Sequence, residues 1–339
     1  MIHFTERIFV AGHTGMVGSA IVRQLIRLGH PRSHIITRTR AELDLTNQAA
    51  VQAFFEQESP DQVYLAAAHG GGSRHTGMQP GALIYQNMMI AANVVEAAFQ
   101  AGVKKLLFLA SSSSYPKSAL QPMSEDDLVS GPLDPAREPH ALAQIAGIKL
   151  CESYNRQYGD SHGLDYRCAV ACSVYGPGDH YATEHSRVIP ALIRRFHDAT
   201  LSGAPRVTVQ GSGSTRREFL YVDDMAEACV YLMELPKPAF DKHAPHTGGL
   251  INVGFGADVS IEQLAQTIAG VVGYRGQIVC DSTPPEGPER RLLDSYRLHA
   301  LGWEPLMELE IGLELSYMDF KLHHAERQRA RAPSIEAMA

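Results

Sequence analysis

The chain has few cysteines, the residues that cross-link small secreted folds and that often ligate metals. Its 339 residues contain one tryptophan and five cysteines. The cysteine count is odd and the spacing matches no metal site, which is typical of reduced intracellular thiols. These are Cys151, Cys168, Cys172, Cys229 and Cys280. The composition therefore argues against a disulfide-stabilised extracellular domain.

Long apolar runs and a strong net charge are absent too. No window of about 18 residues is apolar and uncharged, so the sequence predicts no membrane-spanning helix. The first residues, "MIHFTERIFVAG", carry Glu6 and Arg7 where a signal peptide would be apolar. The formal charge of −7 gives no reason to expect nucleic acid or a membrane as a partner. We therefore expect a soluble, cytoplasmic protein.

What the sequence does contain is an alternation of short β-branched apolar runs with helical patterns. Helices are predicted over 15–28, 82–101 and 139–158. Strands are predicted over 7–12, 34–39, 62–68, 104–112 and 166–176, and the run 251–256 is expected to return to the sheet. This alternation predicts an α/β fold with a doubly wound, mostly parallel Rossmann sheet. Such sheets bind their ligands at the carboxyl ends of the strands.

The pattern loosens after residue 178, where proline, glycine and histidine become frequent. We expect a larger domain over 1–178 plus about 222–258. A smaller, discontinuous substrate domain would comprise about 179–221 plus 259–320. The remainder, 321–339, has no apolar face and is predicted to be a mobile tail.

A glycine-rich loop follows the first predicted strand. In "VAGHTGMVGSAIVRQL", Gly12, Gly15 and Gly18 have the spacing G-x-x-G-x-x-G and open a helix. Glycines allow a tight turn and a close approach of the backbone to a pyrophosphate, which the helix N-terminus attracts. Met16 and Val17, inside the loop, are expected to contact the same dinucleotide.

The end of the second predicted strand selects the cofactor. An acidic residue there would bind the ribose 2′-hydroxyl of NAD, whereas arginine accommodates the additional phosphate of NADP. The sequence "TRTRAELDL" supplies Arg38 and Arg40, which favours NADP. Asp44 and Leu45, a few residues later, are expected near the adenine.

Several longer tracts resemble the GDP-L-fucose synthase family, NADP-dependent epimerase/reductases of the extended short-chain dehydrogenase/reductase group. They are "AAAHGGG", "YQNMMIAANVVEAA", "LASSSSYPK", "IAGIKLCESYNRQYG", "VIPALIRRFHDA", "GSGSTRREFLYVDDMA" and "INVGFG". The resemblance covers about residues 5–320. It implies a substrate such as GDP-4-keto-6-deoxymannose, epimerised at C3 and C5 and then reduced at C4 by NADPH. It also implies that His69 lies at the cofactor, where the family has lysine.

The reducing residues of the family are changed in this chain. Family members use a serine, a tyrosine and a lysine, and only Ser111 matches. His140 stands at the tyrosine position and Gln144 at the lysine position. The spacing of four residues still puts both on one helix face. Histidine can act as an acid or base near pH 7, whereas glutamine can bind the ribose without supplying charge.

The epimerising pair of the family is changed as well. Its cysteine is Ser113 here and its histidine is Arg187. A serine hydroxyl is a poor proton donor near neutral pH, and arginine does not deprotonate in proteins. His185, two residues from Arg187, would replace the histidine only if the loop were rearranged.

The nucleotide-binding positions are better retained. The resemblance implies that Arg195, Arg217 and Arg291 bind the GDP-sugar, and a guanidinium fork suits a diphosphate. Gln210 replaces a family tryptophan nearby. No metal site is predicted from the histidines of this region, which are His69, His75, His140, His180 and His185.

Two functional hypotheses remain open at this stage. The first is an enzyme that modifies a GDP-linked 4-keto sugar with bound NADP(H), by epimerisation or by a non-standard reduction. The second is a catalytically silent NADP- and nucleotide-sugar-binding homologue or partner subunit. The resemblance further implies a homodimer formed through the helices 82–101 and 139–158.

Overall fold

Six parallel strands form the larger sheet of the protein. The computed structural model describes residues 5–69, 79–181, 186–244, 248–282 and 288–331, with only the backbone for 323–331. The strand order is β2-β1-β3-β4-β5-β9 and every neighbouring pair is parallel. These strands are β1 (Ile8–Ala11), β2 (Ile35–Ile36), β3 (Gln62–Leu65), β4 (Lys105–Ser111), β5 (Asp165–Ala171) and β9 (Leu250–Val253). The predicted α/β fold with a doubly wound parallel sheet is confirmed.

Helices cover this sheet and continue into a second region. They are α1 (Met16–Arg27), α2 (Gln48–Glu58), α3 (Pro80–Gln100), α4 (Glu138–His162), α5 (Val188–Ser202), α6 (Val222–Glu234), α7 (Lys237–His243), α8 (Ile261–Val272), α9 (Tyr296–Ala300) and α10 (Leu309–Arg331). Helix α1 packs on α6, while α3 packs on α2 and α4. No helix in the described ranges is long and apolar enough to cross a bilayer.

The strand order reverses next to β1. Strand β2 lies on one side of β1, and β3 with all later strands lies on the other. At such a switch point the connections leave in opposite directions, so a crevice opens beyond the carboxyl ends of the strands. The glycine-rich loop that follows β1 therefore borders this crevice.

The prediction of one strand over 166–176 is wrong. The chain forms β5 up to Ala171, and the amide of Cys172 still donates to the Val253 carbonyl at 3.2 Å. It then leaves the sheet as β6 (Ser173–Tyr175), which pairs with β8 (Arg216–Tyr221) of a second sheet. Both strands are largely buried, so the apolar run does not reveal where the chain changes sheets.

The second region has its own small sheets and its own apolar cluster. Strand β8 also pairs with β10 (Asp258–Ser260) and β12 (Arg290–Arg291), and β7 (Arg206–Gln210) pairs with β11 (Gln277–Asp281). Helices α5, α8 and α10 pack around a buried cluster that includes Phe196, Leu264, Ile268 and Leu313. Helix α10 extends to Arg331. The first part of the segment 321–339, which was predicted to be a mobile tail, is therefore helical up to residue 331.

Candidate active site

The glycine-rich loop forms a tight turn against the end of β3. Gly12 has φ +85°, and a Cβ there would lie 2.7 Å from the backbone of Ala67. A Cβ on Gly18 would collide with the Gly12 carbonyl oxygen. Gly15 caps α1 without a side-chain hydrogen bond, and Met16 and Val17 begin the helix. Amides of the first helical turn have no partner within the helix, so they face an anion-binding cradle that only glycine permits.

A cavity of about 250 Å³ adjoins this cradle. It is lined by seven of the residues predicted to contact the cofactor, together with apolar neighbours such as Leu43, Ala66 and Ile90. The seven are Gly12, Gly15, Arg38, Arg40, Asp44, Leu45 and His69. Met16, Val17 and Gly18 lie beside it in the loop and the first turn of α1.

The two arginines at this cavity differ in their surroundings. Arg38 donates to Glu58 Oε1 at 2.5 Å and lies over the Phe54 ring. Arg40 is exposed and donates a long hydrogen bond of 3.5 Å to Gln86. Because Arg38 is already paired with Glu58, a carboxylate that it shares with Arg7, Arg40 is the guanidinium better suited to an additional phosphate.

Two buried asparagines of α3 hold the walls of this cavity. Asn87 accepts from the His69 amide at 2.7 Å and donates to the His69 carbonyl at 2.8 Å. Asn93 donates to the Leu45 carbonyl at 2.9 Å. The sequence interpretation missed both residues, although polar side chains on the apolar face of "NMMIAANVV" are a signal that could have revealed them.

The turn after β4 carries the predicted serines. Ser111 Oγ accepts from the amide of Ser113 at 3.3 Å and from its hydroxyl at 3.2 Å. Ser113 is 3% exposed. Its hydroxyl is therefore committed to Ser111 and is a weak candidate for moving a proton on a sugar ring.

Helix α4 approaches β4 very closely at Gly147. A Cβ at this glycine would lie 2.5 Å from the Phe108 ring. Gln144 and His140 lie three and seven residues earlier, on the same helix face. Gln144 is 5% exposed and its Oε1 accepts no hydrogen bond from the described residues. His140 is half-buried, and burial, helped by the Arg137 charge, lowers the pKa of its imidazole. His140 is therefore largely neutral at pH 7.

Arg187 connects the second region to the start of α1. It donates to the Val174 carbonyl at 2.9 Å and to Asp179 Oδ1 at 2.8 Å, and Nη2 lies 3.7 Å from Met16 Sδ. An arginine paired in this way cannot serve as a base. His185, the suggested substitute, lies outside the described residues, as does His75.

A second cavity, of about 400 Å³, opens between β6, β8, α5 and β12. The predicted substrate residues Arg195, Arg217 and Arg291 all line it, and so do Arg187 and Gln210. Ser112, from the turn after β4, lies at the same wall. Arg137, just before α4, also lines it and was not singled out from the sequence. This arginine-lined cleft is suited to an anionic ligand.

Arg291 is the most deeply placed of these cations. It is 7% exposed and donates from Nη1 to the Ser112 carbonyl at 2.9 Å. Nη2 makes no hydrogen bond within the described part of the chain, and its nearest carboxylate is Asp134 at 4.0 Å. Burial, with the charges of Arg137 and Arg217, lowers the pKa of Arg291 to about 10. A buried guanidinium with an unused donor is the strongest sign of a ligand in this cleft.

Glu218 supports the floor of the cleft. It is 2% exposed, and its two oxygens accept from the amides of Gly256 at 2.8 Å and Leu293 at 3.0 Å. Burial raises the pKa of this carboxyl to about 7. Glu218 thereby ties β8 to the segment that carries Arg291. An acidic residue inside the apolar strand "EFLYV" was the available signal, and the sequence interpretation overlooked it.

No group of three or more His, Cys, Asp or Glu side chains in the described ranges could hold a metal ion. The site's own side chains supply hydroxyl, imidazole, amide and guanidinium groups, which can act with a bound dinucleotide. The cradle at Gly12 and Gly18 and the unused Gln144 Oε1 both fit such a cofactor.

Known proteins resemble this chain over most of its length. The model of the NAD dependent epimerase/dehydratase family matches residues 8–254. GDP-L-fucose synthase of Escherichia coli (strain K12) is 52% identical over 324 residues, which is 96% of this chain and 99% of that protein. A GDP-6-OMe-4-keto-L-xylo-heptose reductase from C. jejuni has a similar structure, with a TM-score of 0.88 at 33% identity over 95% of this chain and 99% of the other.

A further solved structure, GDP-mannoheptose C4 reductase from Campylobacter jejuni with NADP bound, matches with a TM-score of 0.84 at 34% identity. That match covers 95% of this chain and 100% of the other. Identity of this extent over nearly the whole length exceeds what a shared fold alone requires. The chain therefore belongs to the NAD-dependent epimerase/dehydratase family and, within it, to the GDP-L-fucose synthase family.

Proposed function

We propose that this chain is an NADP-dependent enzyme that reduces the 4-keto group of a GDP-linked sugar. The observation that carries the proposal is the position of His140 and Gln144 on the face of α4 that packs against β4. The end of β3 lines the cofactor cavity and Ser112 lines the arginine cleft. β4 pairs with β3, and from this order we infer that the two side chains lie near the junction of the cavities, although neither is among the residues that line them.

Each ligand has its own set of residues in this proposal. NADP is assigned to the residues 1–178 plus about 222–258, with Arg40 at the 2′-phosphate. The relative from Campylobacter jejuni named with NADP supports this cofactor. The nucleotide sugar is assigned to about 179–221 plus 259–320, with its diphosphate at Arg195, Arg217 and Arg291.

The reduction follows from groups near this junction. NADPH, when bound, supplies the hydride that C4 accepts. The Ser111 hydroxyl donates a hydrogen bond to the ketone oxygen and holds it in place. Protonated His140 gives its proton to that oxygen as the negative charge develops, and is later recharged from water. Gln144 Oε1 accepts from a ribose hydroxyl, which orients the cofactor without the charge that a lysine would supply.

Epimerisation by the two family positions is not supported by their surroundings. The Ser113 hydroxyl donates to Ser111, and Arg187 is paired with Asp179. Neither group can remove a proton from carbon near neutral pH. We therefore infer a reductase that does not exchange ring protons through Ser113 and Arg187.

The test is turnover of GDP-4-keto-6-deoxymannose with NADPH in heavy water. The proposal expects loss of NADPH absorbance and a product that mass spectrometry shows without deuterium at C3 or C5. Deuterium at these carbons would instead demonstrate epimerisation. Binding of both ligands without NADPH loss would contradict the proposal and leave a binding protein.

Matched variants locate the proton donor. His140→Asn should reduce turnover by about 100-fold, in the range that general acid catalysis contributes. His299→Asn, at an exposed histidine that lines neither ligand cavity, should leave turnover unchanged. The double change His140→Tyr with Gln144→Lys restores the pair used by the family and should retain or raise activity if the pocket holds the same substrate.

We also propose a cytoplasmic homodimer formed through α3 and α4. These helices pack together and leave Tyr85, Met88 and Leu142 between 61% and 42% exposed. Four of the five cysteines are buried and all are free, which suits a reducing compartment. Light scattering should give twice the chain mass, and Met88→Glu should lower it to a single chain without loss of NADPH binding.

A further inference from the structure

Arg137 lies where the cleft meets the helix that carries His140. It is the N-cap residue of α4, three residues before His140, and its backbone amide donates to the Asp134 carbonyl. Its side chain is exposed and lines the same cleft as Arg217 and Arg291. Within the described part of the chain this guanidinium makes no hydrogen bond or ion pair. It is therefore available to a ligand.

The arginines around Arg137 favour the binding of an anion. Arg291 is buried with an unused Nη2, and the charges of Arg137 and Arg217 act on it. Asp134, 4.0 Å from Arg291, is a distant counter-charge. A diphosphate bound here would satisfy Nη2 and offset the charge of Arg137 at the same time.

His140 lies on α4, which packs on β4 and on the turn that follows that strand. Its own helix supplies Arg137, which together with burial disfavours the charged imidazole. The turn Ser112–Ser114 of the neighbouring strand contributes hydroxyls, which are uncharged. From β12, Arg291 reaches that turn through the Ser112 carbonyl. Arg137 both lowers the pKa of His140 and lines the cleft, so a ligand in the cleft can offset its charge.

We propose that Arg137 couples binding of the diphosphate in the cleft to uptake of a proton by His140. In the empty cleft, burial and, second to it, repulsion by Arg137 disfavour the charged form of His140. When the diphosphate is bound by Arg137 and Arg291, that repulsion is offset and His140 takes a proton from water. The acid that completes the reduction is therefore loaded once the substrate is present. This inference depends on the proposed function, since the substrate must be a nucleotide sugar.

The experiment is a histidine NMR titration of the whole protein with and without GDP-mannose. The diphosphate of this probe is a diester and does not titrate near neutral pH, so it adds no protons of its own. The His140 signal is assigned by its loss in His140→Asn. In the unchanged protein, GDP-mannose should move the His140 titration to higher pH.

The variants separate charge from structure. In Arg137→Gln the titration of His140 should already lie at higher pH without ligand, and GDP-mannose should move it little further. Arg137→Lys keeps the charge and should behave like the unchanged protein. Arg156→Gln removes a charge from an exposed position far along the same helix and should change nothing.

The outcomes distinguish the two proposals. A His140 titration that is the same in Arg137→Gln as in the unchanged protein would refute the coupling. Binding of GDP-mannose without a change in the His140 titration would also refute the coupling. In that case the proposed function would stand. No binding of GDP-mannose by any of the proteins would refute the proposed substrate class, and the coupling with it.

Discussion

The close contact between α4 and β4 at Gly147 should control activity more than stability. In Gly147→Ala the added Cβ would lie 2.5 Å from the Phe108 ring, whereas ordinary contacts begin at 3.4 Å. Helix and ring must therefore separate by about 0.9 Å. Overpacking of this kind costs roughly 1–3 kcal/mol, and removing a helix glycine returns about 1 kcal/mol. The net loss of stability should be no more than about 2 kcal/mol.

The same displacement moves His140 and Gln144 away from the end of β4. A misplacement of about 1 Å can cost on the order of 100-fold in turnover. We expect kcat for NADPH-dependent reduction to fall by about 10- to 100-fold, with a smaller change in KM for the nucleotide sugar, because Arg137 alone of its arginines adjoins α4 and lies ten residues from Gly147. Steady-state kinetics measures kcat and KM. Urea denaturation measures the loss of stability.

Two further variants make this reasoning refutable. Gly159→Ala, near the other end of α4, has its closest neighbour at 3.8 Å and should be neutral or slightly stabilising. Phe108→Leu combined with Gly147→Ala makes room for the methyl group and should recover part of the lost kcat. Full activity in Gly147→Ala alone would show that this contact does not position His140.

Three more predictions follow from particular contacts. Arg40→Ala should weaken NADPH binding about tenfold and leave NADH binding unchanged by calorimetry, whereas Arg38→Ala should have a smaller effect because Glu58 already pairs with it. Arg291→Met should cost at least tenfold in GDP-mannose affinity while leaving the free energy of unfolding unchanged or about 1 kcal/mol higher, because it removes a buried charge whose nearest carboxylate, Asp134, is 4.0 Å away. Burial raises the pKa of Glu218 to about 7 from its ordinary value of 4.5, so the folded state holds its proton over that window and the unfolded state does not. Its contribution to the free energy of unfolding, about 3 kcal/mol, should therefore be lost as the pH rises from about 4.5 to 7, and Glu218→Gln should flatten that dependence in urea denaturation.

Local pattern was enough for the main architecture and for the phosphate cradle. Gly12 and Gly18 are required by contacts within a few residues or with an adjacent strand, and this requirement appears directly in the spacing. The predicted helix 139–158 agrees with α4 to within a few residues. The spacing of its apolar residues and its length can be read from that one segment without knowledge of the rest of the fold. Residues whose role depends on neighbours along the chain were therefore accessible from the sequence.

Only the tertiary structure decided which charges are already used. Arg38 is paired with Glu58 and Arg187 with Asp179, whereas Arg291 has an unused donor and Arg137 points into the cleft. In the sequence these four arginines look alike. The partner of a guanidinium, and the chance that it binds a ligand, depends on which distant segments the fold brings beside it.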